Sequence, residues 1–149
     1  MDWRLPVGPQ NVQCVMMNPR EILDKYYRAF NAGDRDTMLA LLDDNVVHEI
    51  NQGDAEIGRQ AFRTFMERMD ACYHETLDDL VILTGESPDR AAAEFTVVGK
   101  YLATDEGFPP VTGQTYCLPA GAFFSFSNGR ISRITMYYNV KDWLRQIEA

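Results

Sequence analysis

The sequence contains little of what metal centres and disulfide frameworks require. Its 149 residues include 2 histidines and 3 cysteines, which are Cys14, Cys72 and Cys117. An odd number of widely spaced cysteines fits neither a zinc site nor a set of disulfides. We interpret them as ordinary thiols in a reducing cytoplasm, and we expect neither a metal nor another cofactor.

Positive charge and long apolar runs are also scarce. Lys and Arg total 14 against 22 Asp and Glu, which gives a formal net charge of -8. Nucleic-acid phosphates are bound by basic surfaces, so a nucleic-acid partner is not expected. No apolar run is long enough to cross a bilayer, and residues 1–17 lack the apolar centre of a secretion signal. The sequence therefore predicts no membrane partner and a cytoplasmic location.

The length and composition predict one folded domain preceded by an arm. A hydrophobic fraction of 46% suits a packed core in a chain of this size. Residues 1–17 contain two prolines and a glycine and show no periodicity, so we predict a flexible N-terminal arm. The domain is expected to span residues 18–149.

Capping signals place the first two helices. Asn18 precedes Pro19 and is followed three residues later by Glu21, a combination typical of a helix N-terminus. Gly33 is expected to end this helix, and Asp34 to cap the next one. The remaining predicted elements are a strand at 46–51, a helix at 58–73, strands at 79–86, 90–103, 115–127 and 130–138, and a helix at 140–147.

Helices followed by strands at hairpin spacing predict an α+β fold with a mainly antiparallel sheet. Such a sheet can curve around the N-terminal helices as a cone whose inner face forms a pocket. The alternation of side chains along each strand assigns the inner positions. The predicted pocket is lined by Phe30, Ile50, Met66, Val97, Tyr101, Tyr116, Ala122, Phe124, Met136 and Tyr138.

Two polar residues on apolar faces are the candidate catalytic groups. His48 titrates near neutrality and could exchange a proton with a bound carbon acid. Tyr26 could donate a hydrogen bond to a carbonyl oxygen on which negative charge develops. An apolar pocket with these groups suits a small apolar carbonyl compound. The alternative is structural, because a lone histidine on an apolar strand is commonly hydrogen-bonded in the core.

Other charged groups are expected outside the pocket. Parity places Glu49 and Glu94 on the outer face, where Arg133 or Lys100 could pair with them. The segment 102–114 is predicted to form a lid over the mouth of the cone, or simply a stiff hairpin connection.

Several phrases carry a resemblance to a known superfamily. YYRAFNAGD, which begins at Tyr26, is followed in order by HEINQG, YLATDEG, TGQTY and LPAGAFF. This series resembles the nuclear transport factor 2-like superfamily, which includes SnoaL-like polyketide cyclases, and in particular the ketosteroid isomerase-related proteins. The resemblance covers residues 18–148 and implies the cone-shaped, cystatin-like α+β fold.

The resemblance also bears on activity. In ketosteroid isomerases an aspartate transfers the proton, and a tyrosine and a protonated aspartic acid hold the oxyanion. Tyr26 matches the tyrosine, but Ile50 stands at the base position and Ala122 near the second acid. The resemblance therefore implies isomerase-like proton transfer in which His48 replaces the base. Isomerisation, cyclisation or dehydration of a steroid-like or polyketide-like molecule would all fit.

Two further expectations follow from the fold. A non-catalytic module that binds a small ligand or pairs with another protein is the alternative function, because two of the isomerase groups are absent. Members of the superfamily commonly pair through the outer face of the sheet. We therefore predict a homodimer that uses Ile131, Arg133, Thr135 and Tyr137.

Overall fold

The computed structural model describes residues 17–148, so the arm predicted at 1–17 lies outside the described residues apart from Met17. Within them the order of helices and strands confirms the α+β prediction. The elements are α1 (Pro19–Ala32), α2 (Arg35–Ala40), β1 (Leu42–Glu49), β2 (Glu56–Ile57), α3 (Arg59–Cys72), β3 (Tyr73–Thr84), β4 (Arg90–Tyr101), β5 (Thr115–Ser127), β6 (Arg130–Tyr138) and α4 (Val140–Ile147).

The six strands form one curved, open sheet in the order β2-β1-β6-β5-β4-β3. β1 and β6 run parallel, and the other neighbours are antiparallel. β4 and β5 bury alternate residues along their whole length, as period-two parity predicts. Their buried face, together with α1 and α3, encloses the core. No helix among the described residues is both long and apolar enough to cross a membrane.

The helix ends form as the capping signals predict. The Asn18 side chain accepts a hydrogen bond from the Glu21 amide at 2.9 Å, and the Glu21 carboxylate accepts one from the Asn18 amide at 3.3 Å. Gly33 closes α1 with a φ of 71°, a left-handed conformation that glycine adopts without strain. Asp34 caps α2 through the Thr37 amide at 3.1 Å.

β3 differs most from the sequence prediction, because it begins at Tyr73 rather than at Asp79. A bulge interrupts its pairing with β4 between Asp78 and Val81, and Asp79 has a φ of 54°. The Asn31 side chain bonds both the amide and the carbonyl of Leu77, at 2.8 and 3.0 Å. This long-range contact ties α1 to the first half of β3, a half that local periodicity does not reveal.

The predicted outer face of β6 needs two corrections. Thr135 is 1% exposed, and its hydroxyl donates a hydrogen bond to the Glu49 carboxylate at 3.3 Å, so it is not part of the free surface. Ile131 was also expected on the outer face but is fully buried, because the register with β5 shifts next to the hairpin turn. Parity does not carry across such an irregularity. Arg133 and Tyr137 do lie outward, and Arg133 pairs with Glu49 at 3.2 Å. Glu94 is also exposed, as predicted.

Candidate functional site

A cavity of about 390 Å³ lies between the inner face of the sheet, α1 and α3. This is within the usual size range of small-molecule sites. Every residue predicted for the site lines it except Tyr101. These lining residues are Tyr26, Phe30, His48, Ile50, Met66, Val97, Tyr116, Ala122, Phe124, Met136 and Tyr138.

Tyr101 serves the loop after β4 and does not line the cavity. Its side chain is fully buried and stacks on Tyr73 with ring centroids 5.2 Å apart. Its hydroxyl donates to the Pro109 carbonyl at 2.9 Å and accepts from the Asp105 amide at 2.8 Å. Parity placed its side chain on the inner face correctly, but at the end of the strand that face is covered by the loop.

His48 enters the cavity between two aromatic rings. The centroids of Phe62 and Phe65 lie 4.8 and 4.7 Å from its imidazole, each in an edge-on arrangement. Nδ1 is 3.9 Å from a Glu56 carboxylate oxygen, which is too long for a hydrogen bond. Burial lowers the pKa of His48 from 6.5 to about 4, so the imidazole is neutral at neutral pH.

Tyr26 projects from α1 into the same cavity. Its ring packs edge-on against Tyr27 and Phe124, at centroid distances of 5.2 and 6.1 Å. Its hydroxyl has no hydrogen-bond partner among residues 17–148, and it makes no bond to His48. Burial raises the pKa of Tyr26 well above its usual value, against a smaller effect of Arg35. The phenol therefore stays protonated and can act as a hydrogen-bond donor.

Glu75 is a cavity residue that the sequence analysis did not identify. It lies on the inner face of β3, and its carboxylate accepts a hydrogen bond from the Tyr116 hydroxyl at 2.5 Å. Burial raises the pKa of Glu75, against the opposing effect of the Tyr116 bond. The cavity thus contains an acid, although not at either position where the isomerases carry theirs.

The loop at 102–114 closes one side of the cavity. Phe108 lines it and packs edge-on against Trp143 of α4, with centroids 5.0 Å apart. The buried Asp105 holds the loop, because its carboxylate accepts two bonds from Arg68 at 2.9 Å and one from the Tyr73 hydroxyl at 2.8 Å. The predicted lid is therefore a segment fixed to α3 and β3.

Asp105 and Glu75 were missed for different reasons. Glu75 lies in the half of β3 that was predicted to precede the strand, so parity was not applied to it. Extending the strand back to Tyr73 would not have been sufficient, because the bulge between Asp78 and Val81 reverses which residues face inward. Asp105 carries no local signal, because its partners are distant in sequence. No group of three or more His, Cys, Asp or Glu in the part of the chain described here is placed to hold a metal ion.

Comparisons with known proteins agree with this fold. The model of the SnoaL-like domain matches residues 23–134. A "putative polyketide cyclase" from Pseudomonas putida KT2440 is 53% identical, has a TM-score of 0.86, and matches over 88% of this chain and 98% of its own. Another protein of that name, from Xanthomonas campestris pv. campestris, is 48% identical with a TM-score of 0.82, over 85% of this chain and 94% of its own.

A more distant structure shares the fold alone. The nuclear transport factor 2-like protein of unknown function from Burkholderia pseudomallei K96243 is 19% identical with a TM-score of 0.67, over 90% of this chain and 100% of its own. None of the curated proteins matches the chain. The match to the SnoaL-like domain model and the two relatives with 53% and 48% sequence identity establish the family. The chain therefore belongs to the SnoaL-like domain family and shares the nuclear transport factor 2-like fold.

Proposed function

We propose that this protein is a cofactor-independent enzyme that moves a proton on a small apolar carbonyl compound. The observation that carries the proposal is the cavity of about 390 Å³, whose mainly apolar lining includes Tyr26, His48 and Glu75 among its polar groups. A pocket of this size holds a molecule with a few rings. Polar groups placed in advance around such a site interact strongly with a charge that develops during reaction.

Tyr26 has the features of an oxyanion donor. Its hydroxyl points to the cavity without a partner in the described residues, so a substrate carbonyl oxygen would not have to displace an internal bond. Removal of a proton from the neighbouring carbon places negative charge on that oxygen. A preorganised donor stabilises this charge more than it stabilises the neutral ketone, and that difference lowers the barrier.

His48 enters the reaction as a neutral imidazole. With a pKa of about 4 it is a weak proton acceptor at neutral pH, but one ring nitrogen carries a hydrogen that can be donated. We therefore propose that His48 supplies a second hydrogen bond or relays a proton to the oxygen. Its burial between Phe62 and Phe65 fixes the plane in which that hydrogen points.

Both the chemistry of the cavity and the names of the relatives support this class of reaction. Isomerisation, intramolecular cyclisation and dehydration next to a carbonyl can all begin with loss of a proton from the adjacent carbon. The two similar structures that carry the name polyketide cyclase support a polyketide-like substrate for this chain. None of these steps needs an electron acceptor or a group carrier, since side chains supply and return the proton.

The test measures exchange of the α-hydrogens of β-tetralone, a small bicyclic ketone, in heavy water by proton NMR. We expect the protein to accelerate exchange above the buffer rate. Tyr26→Phe should slow this reaction by about a hundredfold, as loss of one oxyanion donor does elsewhere. Tyr137→Phe is the matched control, because Tyr137 lies on the outer face of the sheet with 52% of its surface exposed.

His48→Gln tests the second role in the same assay. We expect a slower reaction with unchanged folding, and His74→Gln provides the control because His74 is exposed on β3. Exchange at the buffer rate with wild-type protein, despite saturable binding of the ketone, would contradict the proposal. That result would instead favour a non-catalytic module that binds a small ligand.

A further inference from the structure

Glu75 lies where it can react with a bound molecule, and the role inferred for it rests on the proton-transfer function proposed above. We infer that Glu75 is the general base of the cavity and that Tyr116, crossing β4 at Gly99, is the positioning residue for its carboxylate. The inference stands on the register of three neighbouring strands and on one hydrogen bond. It assigns the base to β3 rather than to the position directly after β1 that Ile50 occupies.

The sheet register brings these three residues into one line. Glu75 of β3 pairs with Gly99 of β4, and Gly99 pairs with Tyr116 of β5. All of them belong to the inner face, so a side chain at the middle position would separate the other two. Glycine leaves that position open.

The Tyr116 ring occupies the space that a side chain on β4 would take. A Cβ built on Gly99 would lie 2.1 Å from Cζ of Tyr116 and 2.5 Å from its hydroxyl oxygen. Through this gap the hydroxyl reaches Oε1 of Glu75 at 2.5 Å. The bond ties the carboxylate to one place in the cavity, and Oε2 has no hydrogen-bond partner among residues 17–148.

The surroundings of Glu75 move its pKa upward, in the direction that favours a general base. Burial raises its pKa, whereas the Tyr116 bond and the charge of Arg35 oppose that change and Asp70 adds to it. Arg35 is held by Asp70 through two bonds of 3.0 and 2.7 Å, so its charge is largely compensated. Tyr138, whose pKa is raised by burial and by Glu75, stays protonated. A general base is most effective when its pKa approaches the working pH.

The step conserves all atoms and electrons. Oε2 of Glu75 takes a proton from the carbon beside the substrate carbonyl, the electron pair of that C–H bond forms a carbon–carbon double bond, and the π electron pair of the carbonyl moves onto its oxygen. Tyr26 donates a hydrogen bond to this oxygen. The protonated Glu75 returns its proton to a conjugated carbon, which gives isomerisation, or first exchanges it for deuterium from the solvent and delivers that to the same carbon, which gives exchange. No redox partner is consumed.

Glu75→Gln tests the base directly in the β-tetralone assay. Loss of a general base typically costs at least about a hundredfold in rate, and we expect a decrease of that order. Glutamine keeps the size of the side chain and removes a buried charge, so the variant is expected to fold. Glu94→Gln removes a carboxylate from the exposed face of β4 and should keep the wild-type rate.

Tyr116→Phe tests the positioning role through a readout that simple disruption would not give. The hydroxyl lowers the pKa of Glu75, so its removal should move the acid limb of the rate–pH profile to higher pH. Gly99→Ala should displace the Tyr116 ring and shift the profile in the same direction. The two changes should not add, because both break one bond. Gly121→Ala is the control, since a Cβ there meets its nearest neighbour, the Ala93 carbonyl oxygen, at 3.4 Å.

The outcomes separate this inference from the function on which it rests. Wild-type rate in Glu75→Gln, together with a slow Tyr26→Phe, would overturn the role of Glu75 and leave the proposed function intact. A lower rate in Tyr116→Phe with an unmoved profile would overturn the positioning role. Absence of exchange with wild-type protein would overturn the function and this assignment together. A slow Glu75→Gln with a shifted Tyr116→Phe profile supports the inference.

Discussion

Replacement of Asp105 by Asn should loosen the loop that closes the cavity. The carboxylate accepts two bonds from Arg68 and one from Tyr73, and only 4% of Asp105 is exposed. Asparagine has the shape of aspartate but no negative charge. Its NH₂ group would take the place of one carboxylate oxygen and would then face the N–H or O–H groups that donate to that oxygen. The variant therefore loses at least one charge-assisted bond and leaves a donor of Arg68 or Tyr73 unpaired.

The expected loss in the free energy of unfolding can be worked out from these contacts. A hydrogen bond to a charged group contributes about 1.5–3 kcal/mol. The Arg68 side chain is 55% exposed, so water compensates for part of its lost bonds. The Tyr73 hydroxyl is buried and has no such compensation. We expect a decrease of about 2 kcal/mol in the free energy of unfolding, taken from the lower part of that range.

The pH dependence gives a second, independent signature. Burial alone would raise the pKa of Asp105, but bonds from Arg68 and Tyr73 outweigh it and hold the pKa below its usual range. A carboxyl group with a lowered folded-state pKa stabilises the protein above its unfolded-state pKa. That stabilisation is lost as the pH falls through the folded-state value. The difference between wild type and Asp105→Asn should therefore shrink in acid.

The assay is urea unfolding at a series of pH values, with amide hydrogen exchange to locate the change in residues 102–114. Glu106→Gln is the control, because Glu106 is the exposed neighbour of Asp105. A loss within about 0.5 kcal/mol of wild type, the usual size of a surface substitution, would refute the reasoning. A larger loss that persists unchanged into acid would refute its electrostatic part.

Three further predictions concern stability and assembly. Glu75→Gln should raise the melting temperature at neutral pH, because a raised pKa means that the ionised form of Glu75 destabilises the fold. This gain should vanish as the pH falls below the unfolded-state pKa of the carboxyl group. An unchanged melting temperature at neutral pH would contradict the effect of burial on Glu75. Asn31→Ala should cost about 2 kcal/mol in urea unfolding because two backbone groups of Leu77 lose their partner, and a neutral change would contradict this. We propose a homodimer through the outer face of the sheet, where Phe123 and Tyr137 are 48% and 52% exposed and pack edge-on with ring centroids 5.6 Å apart. Light scattering should show twice the chain mass of 17.0 kDa, and a Tyr137→Lys variant should be monomeric.

The elements with local signals could be predicted closely from the sequence. Caps at Asn18 and Asp34 and the glycine at Gly33 fix helix ends through contacts within a few residues. The turn at Asn128 and Gly129, with φ of 50° and 73°, sets the ends of β5 and β6 in the same way. Because these contacts join residues that are close together in the sequence, the local residue pattern is enough to predict them.

The place of Glu75 in the cavity depends on contacts between residues that are far apart in the sequence. The first half of β3 is defined by pairing with β4 and by Asn31, which lies 46 positions from Leu77. The bulge at Asp79 breaks the alternation that would otherwise have marked the strand. The sequence pattern therefore predicts a connection at Glu75, and it offers His48 as a replacement for the missing base.

Asp105 shows the same limit for a charged residue. Its partners lie 37 and 32 positions away, and a sequence of the form TDEG suggests only an exposed turn. Tyr101 was placed correctly on the inner face, but its hydroxyl binds the loop rather than facing the cavity. Composition and parity predict which face a residue takes, whereas tertiary contacts decide what it touches there.

The central claim is that proton transfer occurs inside this cavity. The most direct test is the rate of β-tetralone α-hydrogen exchange by wild-type protein in heavy water, with and without saturating β-naphthol. This planar phenol resembles the enol form of the ketone, and binding of such analogues is favoured at sites built for the transition state. We predict acceleration that disappears as β-naphthol fills the cavity. No acceleration, or acceleration that β-naphthol does not change, would contradict the account.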